Sequence, residues 1–144
     1  MFNFPKEIMI SYKTEIRVRF CETDKMQFLH HAQYIEYFEV ARTEMLRYYG
    51  LPYRTVEDYG IEMPVMEISI KYKNAAFYDE LLTVEASVSE INSPKIHIDY
   101  KVYKENGLIA AEGFSVLAFM KTATKKACRP PEFYVNTLKK YFEK

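Results

Sequence analysis

Apolar and charged residues alternate in an early part of the chain, over residues 14–20. Ile16, Val18 and Phe20 are separated from one another by single arginines. Successive side chains of a β-strand point to opposite faces, so this period of two predicts a half-buried strand over residues 14–20.

The period then becomes helical, from about residue 32 to residue 49, and Gly50 followed by Pro52 is a typical stop signal. The residues predicted to face the core form a stripe of Tyr34, Phe38, Ala41, Met45 and Tyr48. Positions beside the stripe are also largely apolar, which makes the buried arc wider than the ~100° of an ordinary surface helix. The pattern predicts a nearly enclosed helix, but an amphipathic helix lying on a sheet fits the pattern alone equally well.

Most of the remaining chain is rich in the β-branched and aromatic residues that favour strands. Four strands are predicted, over residues 62–72, 81–91, 95–103 and 108–121. Turn signals at residues 92–94 and 105–107 separate them, and a short helix is predicted after Pro131. This order of elements indicates an α+β domain, with one antiparallel sheet around one main helix.

Composition and charge narrow the class of protein. The 144 residues are 49% hydrophobic, and the formal net charge is zero, so no global field recruits nucleic acid or an anionic membrane. No apolar run approaches the ~20 residues of a membrane span, and residues 1–10 lack the apolar core of a secretory signal. Two cysteines, Cys21 and Cys128, are too few for a disulfide framework. We therefore expect a soluble, cytoplasmic protein with no nucleic-acid partner.

The candidate chemistry lies in the segment that joins the first strand to the helix, and Asp24 is its central residue. An acid in this loop can face the helix N-terminus, where unpaired N–H groups favour negative charge. Such a pair offers a base or nucleophile together with oxyanion donors. The alternative interpretation of Asp24 is a loop acid or a helix cap. His30 and His31 are adjacent, so they are not expected to point into one site, and a metal site with Cys21 matches no familiar ligand spacing.

These residues carry a resemblance to a known family. Residues 19–24 together with 31–46 resemble the 4-hydroxybenzoyl-CoA thioesterase family of hotdog-fold hydrolases. They look most similar to the subgroup of short-chain and general acyl-CoA thioesterases, in which a Thr-Asp loop is followed seven residues later by His. The likeness continues through residues 60–65, through the Tyr78-Asp79 turn and to Arg129-Pro130.

The resemblance implies a single hotdog domain over residues 1–144, with a five-stranded antiparallel sheet wrapped around one long central helix. It implies that Asp24 is the catalytic carboxylate, as nucleophile or as general base. It also implies that the backbone N–H of His31 is the oxyanion donor and that the His31 side chain assists catalysis. No metal or other cofactor is implied. A homodimer joined at the sheet edges, or a homotetramer, is implied, with active sites at the subunit interface.

The expected reaction is hydrolysis of the thioester of an acyl-CoA or an acyl-carrier protein. Residues assigned to the acyl pocket are Phe28, Leu29 and Tyr34, while a core role is favoured for Phe38. Lys95 and Arg129 are assigned to the CoA phosphates. The family usually has Gly where this chain has Gln27, so the loop is a place where its path could differ. The alternatives are a hotdog hydratase or dehydratase and a non-catalytic acyl-thioester binding protein.

Overall fold

The computed structural model describes residues 9–142, which form eight strands and three α-helices. The predicted lack of a secretory signal in residues 1–10 falls almost entirely outside this range. The strands are β1 (Ile10–Arg17), β2 (Ile61–Glu62), β3 (Val65–Tyr72), β4 (Leu81–Val88), β5 (Ile96–Tyr103), β6 (Ile109–Leu117), β7 (Phe119–Lys121) and β8 (Ala127–Cys128). The helices are α1 (Gln33–Tyr48), α2 (Tyr53–Asp58) and α3 (Glu132–Phe142).

Five strands form one antiparallel sheet in the order β1-β4-β5-β6-β3. The long helix α1 lies against this sheet, so the predicted α+β fold and its five-stranded antiparallel sheet are confirmed. The helix predicted after Pro131 is also confirmed, as α3. No helix formed by residues 9–142 is long and apolar enough to cross a membrane.

A second sheet of three short strands, in the order β2-β7-β8, was not predicted. Two predicted long strands each divide where the chain passes from one sheet to the other. One break is at Pro64, which has no N–H to donate to a ladder, and its carbonyl accepts a hydrogen bond from the Ala118 N–H at 3.0 Å. Ala118 is the residue at the second break, between β6 and β7. The one hydrogen bond therefore joins both breaks.

The apolar face of α1 packs on the inner face of the sheet. The Phe38 ring stacks on the Tyr100 ring of β5, with 4.1 Å between centroids and 3° between planes. Tyr34, Phe38, Ala41 and Met45 are buried as predicted. Tyr48 is not, since 65% of it is exposed. It is the last residue of α1, and its ring lies 4.8 Å from that of Tyr12 on the edge strand β1.

The expectation of a nearly enclosed helix is wrong for this chain. Ile35 is 42% exposed and Val40 is 43% exposed, so α1 keeps accessible apolar positions outside its buried stripe. The amphipathic helix on a sheet is therefore the correct one of the two interpretations.

The first strand is displaced from its predicted position. It was predicted over residues 14–20, but β1 ends at Arg17 and residues 20–22 form a 3₁₀ turn. Phe20 was predicted to lie on the apolar face of this strand, but it is 75% exposed, and its ring packs edge-to-face on the Tyr78 ring at 5.9 Å. The alternation of residue types continues to residue 20, but the strand stops earlier, because Glu22 turns inward and accepts hydrogen bonds from Arg19 in a 3₁₀ turn.

Candidate active site

The segment between β1 and α1 is a compact loop held by its own backbone. The Asp24 N–H donates to the Phe28 carbonyl at 2.8 Å, and the Gln27 N–H donates to the Asp24 carbonyl at 2.9 Å. Further along, the Leu29 N–H donates to the carbonyl of Ala76 at 2.8 Å. The loop is thus closed on itself and attached to the chain that follows β3.

Asp24 has two chemically different carboxylate oxygens. Its Oδ1 accepts the N–H of Met26 at 2.9 Å and that of Phe28 at 3.1 Å, so this oxygen shapes the loop. Within the described part of the chain no donor binds the other oxygen, Oδ2. The interpretation of Asp24 as a loop acid therefore applies to one oxygen and leaves the second free for chemistry.

Gln27 has a backbone φ of +69°, the left-handed region that glycine favours. The resemblance places Gly at this position. Gln27 takes up a conformation that a glycine would adopt without strain, so the left-handed turn is present despite the substitution. A different loop path is not needed to accommodate it.

His31 lies two residues before the start of α1. Its backbone N–H has no acceptor among residues 9–142, and α1 begins two residues later without a side-chain cap. The His31 ring stacks on the His30 ring at 4.2 Å, and the Tyr72 hydroxyl donates to the His31 carbonyl at 2.9 Å. The Nδ1 of His30 accepts the N–H of Ala32 at 3.1 Å. Of the two histidines, only His31 lines the cavity described below.

One cavity of about 300 Å³ brings most of the predicted site residues together. The loop contributes Asp24, Met26, Phe28, Leu29 and His31, and α1 contributes Tyr34. The opposite wall is residues 72–75, at the end of β3. Asp24, which has a free carboxylate oxygen, and His31, which has a free backbone N–H, therefore both line the same cavity.

The apolar wall is built from aromatic rings in edge-to-face contact. The Phe28 ring contacts the Phe77 ring edge-to-face at 5.5 Å, and the Tyr34 ring contacts that of Tyr72 at 5.3 Å. Burial, with lesser effects from Tyr72 and Glu80, raises the pKa of Tyr34 to about 12. Tyr34 is therefore a neutral, mostly apolar surface at physiological pH.

Three predicted residues lie away from this cavity. Lys95 is exposed in the turn between β4 and β5, and Arg129 is exposed directly after β8. Neither lines the cavity, so their contact with CoA phosphates stays a prediction. Phe38 is fully buried in the core, as favoured. Cys21 is exposed, and no cluster of three or more metal-ligating side chains occurs in the part of the chain that the structure describes.

Sequence reasoning missed the wall formed by residues 72–75. Lys73 forms a 3.1 Å ion pair with Glu112, and the Asn74 side chain donates to the Ile109 carbonyl at 2.7 Å, so both are fixed to β6. These residues are more than 40 positions from Asp24, and only the sheet brings them to the loop. The resemblance at the Tyr78-Asp79 turn was the nearest available signal, and it assigned residues 72–75 no role.

A larger concavity of about 450 Å³ lies on the outer face of the sheet. Its rim carries lysine, aspartate and glutamate side chains of β3, β4, β5 and β6. It contains neither Asp24 nor His31, and the charges on it are solvated, so it is not the candidate active site.

Comparison with known proteins identifies the family. The family model described as the Thioesterase-like superfamily matches residues 18–138. YneP of Bacillus subtilis is 34% identical over 103 residues, which is 72% of this chain and 75% of that protein. The acyl-CoA thioesterase YbgC of Haemophilus influenzae is 32% identical over 114 residues, which is 78% of this chain and 76% of that protein.

A solved structure shows the same architecture. The structure of a DHNA-CoA thioesterase from Staphylococcus aureus superposes with a TM-score of 0.84 and 31% identity, and the match covers 91% of this chain and 88% of that one. The matched family region includes the loop, α1 and every strand of the five-stranded sheet except β1. The chain therefore belongs to the thioesterase-like superfamily and is a hotdog-fold thioesterase, an enzyme that hydrolyses thioester bonds.

Proposed function

We propose that this thioesterase hydrolyses acyl-CoA, or an acyl group carried on a carrier protein, with Asp24 as the reacting carboxylate and the His31 N–H as the oxyanion donor. The observation that supports this proposal is their joint position. Asp24, with its Oδ2 free, and His31, with its N–H free, line one cavity of about 300 Å³. The names of YbgC and of the Staphylococcus aureus protein support a CoA thioester as the substrate class.

The reaction begins with the thioester carbonyl oxygen against the His31 N–H. Attack on the carbonyl carbon moves negative charge onto that oxygen, where the N–H and the positive end of the α1 dipole stabilise it. One such donor typically lowers the barrier by about 3–4 kcal/mol. The carbon–sulfur bond then breaks, and the thiolate takes a proton and leaves as the free thiol.

Asp24 can act in either of two ways. As a nucleophile, its Oδ2 forms a mixed anhydride with the acyl group, which water then hydrolyses to the free acid. As a general base, the same oxygen takes a proton from a water molecule that attacks the carbonyl directly. Both routes need the free oxygen on the cavity side, and both return Asp24 to its ionised form.

The acyl group is expected to lie against Phe28, Leu29 and Tyr34. These side chains form the apolar part of the cavity wall, and Phe28 and Tyr34 are each backed by another ring. Lys95 and Arg129 are proposed to contact the CoA phosphates. Both lie away from the cavity within this chain, so these contacts require another surface that brings the two side chains near the cavity mouth.

The assembly is proposed to be a homodimer joined through β3, or a homotetramer that contains this dimer. β3 is an end strand of the sheet, and Tyr72 at its C-terminal end lines the cavity. A second copy paired along this edge would therefore lie beside the active site. The free thiols of Cys21 and Cys128 are compatible with the proposed cytoplasmic location.

The test is thiol release from a panel of short, long and aromatic acyl-CoAs, comparing wild type with Asp24→Asn. Asparagine keeps the Oδ1 acceptor that shapes the loop but cannot act as a base or carboxylate nucleophile. We expect kcat to fall by about 10²–10⁴-fold without loss of the fold. Asp58→Asn, at the end of α2, is the matched control and is expected to behave like wild type.

Near-normal kcat in Asp24→Asn would rule out this mechanism. Failure of wild type on every acyl-CoA, followed by turnover of an acyl-carrier protein, would select the carrier-bound substrate instead.

A further inference from the structure

Glu22 is the one charged residue that is buried among residues 9–142, with 5% of its surface exposed. Its carboxylate accepts four hydrogen bonds. Oε1 accepts from the Arg19 backbone N–H and from the Tyr37 hydroxyl, each at 2.8 Å. Oε2 accepts from Arg19 Nη2 and from Gln33 Nε2, each at 3.3 Å. A buried carboxylate is costly unless it is paired and hydrogen-bonded, so this group is held in one place by its partners.

The four donors come from both ends of the active-site loop. Arg19 lies at the start of the loop, two residues after β1, while Gln33 and Tyr37 belong to the first two turns of α1. The Glu22 backbone adds a further bond, because its carbonyl accepts the N–H of His30 at 2.9 Å. Glu22 therefore ties the start of the loop to its end, and the two proposed reacting groups lie between these ties.

The state of Glu22 excludes a direct part in proton transfer. Burial acts to raise its pKa, but the hydrogen bonds from the Arg19 backbone and side chain and from Tyr37 outweigh burial and hold that pKa below its ordinary value. Glu22 is thus ionised at neutral pH and has no proton to donate. It does not line the cavity, so it does not reach the substrate.

We propose that Glu22 is a positioning residue for thioester hydrolysis, which holds the Asp24 loop in register with the N-terminus of α1. The inference rests on the proposed roles of Asp24 and His31. Asp24 is two residues after Glu22, and His31 is two residues before Gln33, so a shift of either end changes the distance between carboxylate and oxyanion donor. The side chains expected to contact the acyl group are also held by contacts to residues 72–77, so the loss falls mainly on the chemical step rather than on binding.

The test is steady-state kinetics of Glu22→Gln. Glutamine has the same shape, but its amide group presents donors to the Arg19 and Gln33 donors and breaks the Oε2 contacts. A displacement of about 1 Å in a reacting group costs about 10²-fold in rate, so we expect kcat to fall by about that factor. KM should change by less than about threefold, as for an interaction made only in the transition state. Tyr37→Phe removes one of the four donors and should give a smaller fall in kcat.

A control separates positioning from stability. Leu138→Ala removes a fully buried side chain of α3, away from the loop, and lowers stability without touching the site. All variants are assayed at a temperature at which circular dichroism shows them folded. Leu138→Ala is expected to keep wild-type kcat under those conditions. If Glu22→Gln and Tyr37→Phe also keep it, or if their loss lies in KM, the inference is wrong.

Asp24→Asn in the same experiment keeps the two proposals apart. An inactive Asp24→Asn beside a fully active Glu22→Gln overturns the positioning role alone. An active Asp24→Asn overturns the proposed mechanism itself. If Glu22→Gln does not fold, Tyr37→Phe and Gln33→Leu decide, because each removes one donor, and unchanged kcat in both would refute positioning.

Discussion

His31 offers two separate groups to the reaction, and a side-chain substitution distinguishes them. Its backbone N–H is the proposed oxyanion donor, and its ring lines the cavity beside Tyr72 at 6.5 Å. Alanine at this position keeps the N–H and removes only the ring. The proposed assistance by the side chain can therefore be measured without disturbing the donor.

We predict that His31→Ala lowers kcat by about tenfold or more. The loss should lie near or below the lower limit of the 10²–10⁴-fold range typical of acid–base groups, because the backbone donor remains. His97→Ala is the control, since His97 is exposed on the outer face of the sheet and bonds to Asp99 at 3.1 Å. A rise in KM with unchanged kcat would show that the ring contributes to binding and not to catalysis.

Single residues also mark where sequence reasoning reached its limit at the site. Asp24 was predicted from loop chemistry and from the resemblance, whereas the roles of His31 were predicted from the resemblance alone. The free Oδ2 of Asp24 was not predictable, since which oxygen the loop uses depends on backbone angles. Glu22 was passed over because a glutamate in a loop is usually solvated, and only the folded chain shows its four donors.

Among the elements, α1 was predicted within one residue at each end. Its periodicity and the stop signal at Gly50 are local properties of the chain, so they can be read from sequence. The bounds of β1 and the divisions of the two long strands were wrong because they depend on tertiary contacts. The bond between Pro64 and Ala118, for example, joins residues more than 50 positions apart.

Gly113 controls how closely β3 approaches β6. A Cβ added at this position would lie 2.0 Å from the Ser69 carbonyl oxygen, which is backbone and cannot move aside alone. We predict that Gly113→Ala forces β3 away from β6 and destabilises the protein by about 1–3 kcal/mol, as overpacking does. The free energy of unfolding in urea measures this loss.

Hydrogen exchange localises the effect of Gly113→Ala. Amides of β3 should exchange faster than in wild type, whereas amides in the β1–β4 ladder should keep their protection, because that ladder is at the other side of the sheet. Tyr72 is the last residue of β3, and residues 72–75 line the cavity of the candidate active site. A displaced β3 should therefore also lower the activity of this variant. Unchanged stability would mean that the two strands tolerate a wider spacing than the structure has.

At the scale of the whole molecule, the outer face of the sheet carries a row of alternating charges. Directly paired positions across all five strands are Lys13, Glu85, Lys101, Glu112 and Lys71. Opposite charges on neighbouring strands stabilise a sheet by about 0.2–1 kcal/mol per pair. Each of these charges thus has its partners within its own sheet, and burying the row under another protein would remove it from water. The outer face is therefore a poorer surface for self-association than the open edge of β3.

The edge of β3 has the opposite character, and it yields the prediction that tests the assembly. Val65 is 40% exposed and Met66 is 58% exposed, both at the start of the strand. If two copies pair along β3 in antiparallel fashion, the start of one strand lies near the end of the other, beside Tyr72 and the active site. We predict that Met66→Lys weakens the dimer at least tenfold and lowers activity at dilute enzyme concentration. Leu108→Lys, in the β5–β6 turn, is the control of similar exposure. Light scattering across a dilution series measures the assembly, and activity that stays constant while Met66→Lys dissociates would show that one chain forms the site alone.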